Sequence, residues 1–307
     1  MNRISKLIAP AVAIALMGAA SANVGTEATR AFAVDFLNRY FIKHDMTAYQ
    51  DLADPDFVQH DPDMGNGIVG YRAFFAKLAQ APKGDPTAMK HVTDMVLVDG
   101  DLFAVMHHSL AGPGDKGRLF VDLWRVKDGK IAEHWDVIQP IVATMPHQNG
   151  MACGNVETYA RAAAWHDSIA HPTCGLPDPH VDRAASLATY RAYAAEVAKG
   201  DVEGAIQRYF ADDYRQHSPE IADGKQGAIA YLRREWGDKA GGVRPTLGPQ
   251  RIVAEGDLVL VHYLYTDPAG KQSAHVDIFR IRGGKIHEHW DLKQPVPART
   301  ASGNAMW

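Results

Sequence analysis

Hydrophobic positions in the first third of the chain recur at helical spacing and then give way to alternation. The helical period covers Thr26–His44, and shorter helices are predicted over Met46–Leu52 and around Tyr71–Leu78. Long strands follow: the first ends at Asp99-Gly100, and the last two flank a KDGK turn that starts at Lys127. Helices followed by strands of alternating polarity are typical of an α+β domain with a curved antiparallel sheet.

The same pattern occurs a second time. The stretch KIAEHWDVIQP, which starts at Lys130, recurs as KIHEHWDLKQP from Lys285, with eight of eleven positions identical. AYQDLADPDFVQHDP likewise matches AIQRYFADDYRQHSP, and the helices recur over Asp182–Lys199, Val202–Tyr209 and Ala228–Trp236. A repeat of this length indicates two tandem domains of one fold, which suits a chain of 307 residues.

The first residues have the layout of a secretory signal peptide. Arg3 and Lys6 precede an apolar run over Leu7–Met17, and small residues surround a cleavage position after Ala22. We therefore expect an exported protein, periplasmic or secreted, without a membrane span; an uncleaved anchor is the alternative. The predicted organisation is a signal peptide over 1–22, a first domain over 23–144, a linker over 145–181 and a second domain over 182–307.

The predicted linker contains both cysteines, Cys153 and Cys174. Because export leads to an oxidising compartment, and neither cysteine has the local setting of a nucleophile, a structural disulfide is predicted; two free thiols are the alternative. The composition is otherwise globular, with 46% hydrophobic and 22% charged residues. A net charge of −4 and scattered Lys and Arg give no basis for binding nucleic acid or an anionic membrane.

Several short motifs follow one another in both halves, identically or as close variants: a His after the second helix, then DGD, VDIFR, DGKI and EHWD with Gln-Pro behind it. This order resembles the SnoaL-like polyketide cyclase family, within the nuclear transport factor two-like superfamily. The resemblance implies two tandem cone-shaped α+β barrels, each with about three helices packed on a curved antiparallel or mixed sheet. It implies little about the reaction, because this fold hosts isomerases, cyclases, hydrolases, lyases and non-catalytic binders.

The turn between the last two strands of each domain sets which residues lie opposite each other. The sequence favours a three-residue loop that ends with Gly129, or Gly284 in the second copy, in the left-handed conformation. A two-residue turn, which would place Asp122 opposite Trp135, is the alternative. The favoured register predicts these pairs: Asp122 with His134, Phe120 with Asp136, Asp277 with His289, and His275 with Asp291.

Alternation sorts these strands into two faces. One face mixes ionisable and aromatic residues and is predicted to line each cone: Phe120, Asp122, Trp124, His134 and Asp136, or His275, Asp277, Phe279, His289 and Asp291. The other face carries aliphatic residues with Trp135 or Trp290. It is predicted to pack the two domains together as an internal pseudo-dimer, and a further homo-oligomer stays open.

Two more pairs of candidates come from the resembled fold. Its segment after the second helix lies at the mouth of the cone, so His60 or His217 could reach the Asp–His pair, with Tyr71 or Tyr214 nearby. The two cones also differ in sequence.

The second cone is predicted to be the more polar one. His262 and His275 take the places of Met106 and Phe120 in the first copy. If a single cone is active, we therefore expect it to be the second.

The chemistry follows from a carboxylate beside a histidine in an apolar cone, where pKa values are perturbed and acid–base catalysis becomes possible. In the resembled family, a carboxylate of the last strand moves the proton during aldol ring closure, without metal or cofactor; that role maps onto Asp136 and Asp291. The predicted catalytic residues are Asp291, His289, Asp277, His217, Asp136, His134, Asp122 and His60. The predicted substrate-binding residues are His275, Phe279, His262, Trp124, Phe120, Tyr71 and Tyr214. Asp–His pairs that only hold strands together are the alternative.

The sequence thus predicts an exported, cofactor-independent acid–base enzyme: an isomerase, aldol-type cyclase or carbon–carbon lyase for a hydrophobic or aromatic carbonyl or hydroxyl compound. A non-catalytic periplasmic protein that binds such a small molecule is the alternative. A metal site of His60, His134 and Asp136 is disfavoured, because no short spacing of histidines supports it. The stretch GNGIVG at Gly65–Gly70 matches a dinucleotide fingerprint but does not follow a hydrophobic strand, so no nucleotide cofactor is expected.

Overall fold

The computed structural model describes residues 25–80, 90–110, 116–153, 172–236 and 245–307. The predicted signal peptide lies outside these residues. Within them, no helix combines the length and the apolar character needed to cross a membrane.

Each half consists of helices followed by strands, with one short strand that the sequence pattern did not predict. The first domain contains α1 (25–37, continued by a π-helical turn at Asn38–Ile42), α2 (Ala48–Leu52), β1 (Ala53–Gln59), α3 (Gly67–Ala79), β2 (Lys90–Asp99), β3 (Leu102–Leu110), β4 (Arg118–Lys127) and β5 (Lys130–Pro140). The second contains α4 (Arg183–Lys199), α5 (Val202–Tyr209), β6 (Phe210–Gln216), α6 (Gly224–Trp236), β7 (Thr246–Glu255), β8 (Leu258–Thr266), β9 (Gln272–Arg282) and β10 (Lys285–Pro295).

Each domain has one five-stranded sheet, ordered β1-β5-β4-β3-β2 or β6-β10-β9-β8-β7. The short strands β1 and β6 run parallel to β5 and β10, while the other neighbours are antiparallel, so the sheets are mixed. In the described part of the chain the two edge strands of a sheet do not pair, so each sheet is an open wall rather than a closed barrel. We call the spaces between each sheet and its helices the first cone and the second cone.

The turn before the last strand has two residues instead of the predicted three. Asp128-Gly129 both have positive φ, 52° and 72°, and Lys127 pairs with Lys130. Gly283-Gly284 form the same turn in the second domain, with φ of 54° and 72°. Two positive φ angles give the turn type whose twist matches that of the flanking strands.

A bulge then shifts the register once more. Ala132 of β5 and His287 of β10 have no cross-strand partner, so each bulged strand gains a residue. The four predicted pairs are therefore wrong: Asp122 lies opposite Asp136, Phe120 opposite Ile138, Asp277 opposite Asp291, and His275 opposite Lys293. Because the error is two residues, the predicted inner and outer faces are unchanged.

The outer faces of the two sheets pack together in one buried core. Trp135 and Trp290 are fully buried there, among aliphatic residues such as Val137, Val276 and Leu292. Buried apolar surface stabilises by about 25 cal/mol per Å², so this shared core joins the two domains into a single unit.

Each domain also extends a tail across the other. Behind β5, the Asn149 side chain donates to the backbone oxygen of Gln216 at 2.9 Å. Behind β10, Asn304 donates to the backbone oxygen of Gln59 at 2.9 Å. The two contacts are equivalent in the two halves of the chain. In each, the segment behind the last strand of one domain binds the end of β1 or β6 in the other domain.

The tail behind β5 is also fastened covalently. Cys153 and Cys174 form the predicted disulfide, with their Cα atoms 5.2 Å apart. Next to it, the Trp290 indole donates to the Ala152 oxygen at 2.7 Å.

Candidate functional site

A cavity of about 150 Å³ opens between the sheet and the helices of the second domain. Its walls are mainly aromatic: Tyr190, Tyr193, Phe210, Tyr214, Tyr231, Tyr263, Tyr265 and Phe279. Most of its polar residues come from β9 and β10: His275, Asp277, His289 and Asp291; Gln216 and Glu235 are the others. An apolar pocket with a few convergent ionisable groups is the usual form of a small-molecule site.

Several positions of α4 along the cavity carry smaller residues than the matching positions of α1. Ser186 and Thr29 hold equivalent positions, since each hydroxyl donates to the glycine that ends the following β-turn, Gly256 or Gly100. From that match, three bulky residues of the first domain have small counterparts along the cavity wall: Leu37, Tyr40 and Phe41 correspond to Ala194, Val197 and Ala198.

Within the second cone, His289 and Asp277 form a hydrogen-bonded pair, with Nε2 3.0 Å from Oδ1. Gln216 defines the proton positions. Its Oε1 accepts from the backbone N–H groups of His217 and Ser218, at 2.9 and 2.8 Å, so the Nδ1 of His289, 3.2 Å away, must donate to the same oxygen. A proton on Nδ1 leaves Nε2 to share a second proton with Asp277.

The electrostatics favour an ion pair. Burial lowers the pKa of His289, but the hydrogen bond and charge of Asp277 outweigh it, and the pKa lies above its ordinary value. For Asp277, burial raises the pKa, but the hydrogen bond from His289 prevails and the pKa lies below its ordinary value. Each shift favours the charged form of its group, so the contact favours an imidazolium–carboxylate pair.

Asp291 behaves differently from its cross-strand neighbour. Burial raises the pKa of this carboxyl group to about 6, against the smaller opposing effect of the His289 charge. A carboxyl group with that pKa is largely ionised at pH 7 but readily protonated, which is the condition for a general base or acid.

The first cone holds the matching residues in a different state. His134 donates from Nδ1 to Gln59 at 2.9 Å and contacts Asp122 through Nε2 at 3.0 Å. Burial and the charge of Asp61 hold the pKa of Asp136 well above its ordinary value. Its protonated form is therefore favoured, which disfavours Asp136 as a proton acceptor.

Aromatic side chains also fill the first cone. Tyr40 and Tyr49 pack edge to face at 5.2 Å, Tyr49 stacks on Tyr71 at 4.5 Å, and the Trp124 indole donates to the Tyr49 hydroxyl at 2.7 Å. Phe120, another predicted binding residue, stacks on His107 at 4.8 Å. These residues thus form packed core around the Asp–His pair.

His60 and His217 are not in the cones, contrary to prediction. They stack on Trp135 and Trp290, with ring centroids 4.9 and 4.6 Å apart, on the outer faces of the sheets. The strand before each histidine explains this: Gln59 and Gln216 point inward, so the next residue points outward.

His262 is likewise misassigned, since it lies fully buried on the outer face of β8, beside Arg251. Burial, with the charge of Arg251, lowers its pKa to about 3. Of the second-domain predictions, His275, Phe279 and Tyr214 do line the cavity.

The inward glutamines and most of the tyrosines were not predicted. Gln59 and Gln216 orient the catalytic candidates His134 and His289, and the Gln-His dipeptide repeated in both halves was the available signal. Tyr190 and Tyr193 of α4 gave only a helical pattern, which does not distinguish a cavity wall from core.

Within the described residues, two clusters have the donors for a metal ion. The ligand atoms of Asp122, His134 and Asp136 lie within 4.8 Å of one another, and so do those of Asp277, His289 and Asp291. The set with His60, which the sequence disfavoured, does not assemble, because that ring lies on the opposite face of the sheet.

Both domains match a known protein family. The family model described as SnoaL-like domain matches residues 29–134 and 190–289. The chain belongs to this family. Both copies of the SnoaL-like domain include the Asp–His pair of their cone, which agrees with the expected tandem arrangement.

Similar solved structures match less than two fifths of this chain each. TsrD from Streptomyces laurentii is 24% identical, and the match covers 38% of this chain and 92% of that one, with a TM-score of 0.30. IdmH from Streptomyces antibioticus, described as a candidate polyketide cyclase, is 20% identical over 36% of this chain and 91% of its own, with a TM-score of 0.28. A search of the curated proteins finds no match.

Proposed function

We propose that the second cone is a cofactor-independent acid–base site that moves a proton on a small aromatic carbonyl compound. The observation that supports this most is the Asp291 carboxyl group, whose pKa is raised to about 6 in an apolar cavity beside the Asp277–His289 ion pair. SnoaL-like family membership favours isomerase or cyclase chemistry of this kind.

In the proposed reaction, ionised Asp291 removes a proton from the carbon next to the carbonyl group, and the C–H electron pair forms an enolate. The enolate carbon then attacks a second carbonyl group, and protonated Asp291 returns its proton to the alkoxide that forms; or Asp291 returns the proton to the enolate at another carbon. The first outcome is aldol-type cyclisation and the second is isomerisation; carbon–carbon cleavage is the reverse of the aldol step.

Tyr214 is suited to hold the enolate oxygen. Its Oη accepts a hydrogen bond from Gln216 Nε2 at 2.7 Å, and the residue lines the cavity. Because the amide already occupies a lone pair, the hydroxyl proton is available to a substrate oxygen. The His289 imidazolium adds positive charge nearby without leaving its two hydrogen bonds.

The walls indicate the substrate class. Aromatic rings such as Tyr190, Tyr231 and Phe279 provide flat apolar surface, which favours an aromatic or polycyclic ligand. The same walls support the second candidate, a protein that binds such a molecule without converting it.

Export remains part of the proposal. Its support is the signal-like composition of residues 1–22 and the Cys153–Cys174 disulfide, which is typical of proteins from oxidising compartments. Amino-terminal sequencing of secreted or periplasmic material is expected to start at Asn23, and a start at Met1 would contradict cleavage.

Catalysis and binding are distinguished by an exchange experiment. Purified protein is incubated in D₂O with aromatic ketones such as 2-tetralone, after treatment with a chelator, and loss of the α-proton signal is followed by NMR. Faster exchange than in buffer supports catalysis; saturable binding without faster exchange across the panel supports the binding protein.

A further inference from the structure

Two histidines outside the second cone face each other with their ring nitrogens. His91 of β2 and His107 of β3 have their Nδ1 atoms 3.4 Å apart and their ring centroids 5.3 Å apart. Both belong to the first domain, on the side of the sheet covered by Phe41, whose ring lies 4.6 Å from that of His107.

The hydrogen bonds of His107 define its tautomer. Its Nε2 lies 2.8 Å from the carboxylate oxygen Asp122 Oδ2. A carboxylate only accepts, so Nε2 carries the proton and Nδ1 of a neutral His107 presents its lone pair. That lone pair faces His91.

The two Nδ1 atoms thus face each other across 3.4 Å. An uncharged imidazole nitrogen is the form in which histidine binds metals.

Their separation suits a shared ion better than a direct hydrogen bond. Two nitrogen ligands at about 2.0–2.1 Å from a tetrahedral zinc lie about 3.3–3.4 Å apart. A hydrogen bond donated by nitrogen is usually about 2.9–3.0 Å long. The Asp122–His107 contact is also the carboxylate–histidine arrangement that orients metal ligands.

A third histidine is close. The ring centroid of His44 lies 6.3 Å from that of His91, and its φ of 51° is a left-handed conformation that a non-glycine residue rarely adopts. This places a third imidazole beside the pair.

We propose that His91 and His107, with His44 as third ligand and water as the fourth, bind a divalent transition-metal ion of the zinc type. Phe41 and Phe120 shield the site, with rings 4.6 and 4.8 Å from that of His107. Asp122 offsets the charge of the ion through His107. The site differs from the Asp–His–Asp clusters and from the proposed active cavity.

The second domain provides an internal control. Strand pairing places Leu247 opposite Tyr265 where His91 lies opposite Ser109, and Tyr263 takes the position of His107. The proposal therefore predicts one such site per chain.

The test uses the untagged full chain, stripped with a chelator and titrated with Co²⁺, whose tetrahedral complexes have visible d–d absorption. Equilibrium dialysis gives the number of bound ions. The variants are His91→Leu, which copies the second domain, His107→Phe, His44→Ala, and His287→Ala as the control, since His287 is a partly exposed histidine with one acidic partner, Asp213, at 3.0 Å. Circular dichroism verifies folding of each variant.

We expect one Co²⁺ per chain in wild type and His287→Ala, at least 100-fold weaker binding in His91→Leu and His107→Phe, and at least 10-fold weaker binding in His44→Ala. Zn²⁺ should displace Co²⁺ and raise the melting temperature of wild type but not of His91→Leu. No saturable Co²⁺ site in wild type, or undiminished binding by folded His91→Leu, would overturn the proposal. Undiminished binding by His44→Ala would remove His44 from the ligand set.

Discussion

Asp291 lies directly opposite Asp277 across β9 and β10, yet the two carboxyl groups have opposite pKa shifts. Asp277 shares a proton with His289 at 3.0 Å and remains ionised, whereas burial raises the pKa of Asp291 to about 6. One strand pair thus places a fixed ion pair beside a carboxyl group that titrates near neutral pH. Proton transfer in the second cone would depend on this difference.

Asp291 should cost stability at neutral pH. Its pKa is about 6 in the folded chain and about 3.8 when unfolded, so folding favours the protonated form. Below about pH 4 the carboxyl group is protonated and does not lower the free energy of unfolding. The destabilisation develops as pH rises through 6 and the buried group ionises. Asp291→Asn should therefore raise the free energy of unfolding at pH 7 by up to about 3 kcal/mol, and by much less at pH 4. Urea unfolding at both pH values measures this, and an equal effect at pH 4 and 7 would contradict the assigned shift.

Gln216→Leu should reduce proton-transfer activity by about 10- to 100-fold, because it removes the acceptor that orients His289 and the donor to Tyr214. The comparison is Gln59→Leu, which makes the same change in the first cone. Both variants lose buried hydrogen bonds and should lose stability, but only the second-cone variant should lose exchange activity. Equal activity loss in both variants would show a purely structural effect.

His217→Ala should weaken the fold without changing the chemistry. The ring stacks on Trp290 at 4.6 Å and contacts the Gly150 oxygen through Nδ1 at 2.6 Å, on the outer face of the sheet. We expect a loss of about 1–3 kcal/mol in the free energy of unfolding, and an unchanged pH profile of exchange. A pH profile with a different apparent pKa would instead show that His217 takes part in catalysis.

Much of this structure was predictable from the sequence, because the repeat and the alternation of inward and outward residues remain correct even where the strand register was predicted wrongly. The faces of β4, β5, β9 and β10 are as predicted, although the register is not. The tight turn and the unpaired Ala132 each move the pairing by one residue, and two such steps restore the parity of the faces. Neither the tight turn nor the bulge changes the hydrophobic pattern of the strands, so neither can be predicted from it.

Other features depend on contacts that no local pattern records. His60 was expected at a cone mouth because it follows a helix, but β1 intervenes and its alternation turns Gln59 inward instead. Val197 and Ala198 line the cavity at the places where the first domain has the bulkier Tyr40 and Phe41. That volume difference becomes visible only once both helices are placed.

The most direct test measures the rate of α-proton exchange of 2-tetralone in D₂O between pH 4 and 9, for wild type, Asp291→Asn and Asp136→Asn. We predict a wild-type rate that rises with pH through an apparent pKa of about 6, since the base must be ionised. Asp136→Asn should keep this profile, because burial and the charge of Asp61 favour the protonated form of Asp136, which a neutral Asn side chain resembles. Asp291→Asn should lose at least 100-fold in rate together with the inflection. Undiminished exchange in folded Asp291→Asn would contradict the central claim that Asp291 is the base.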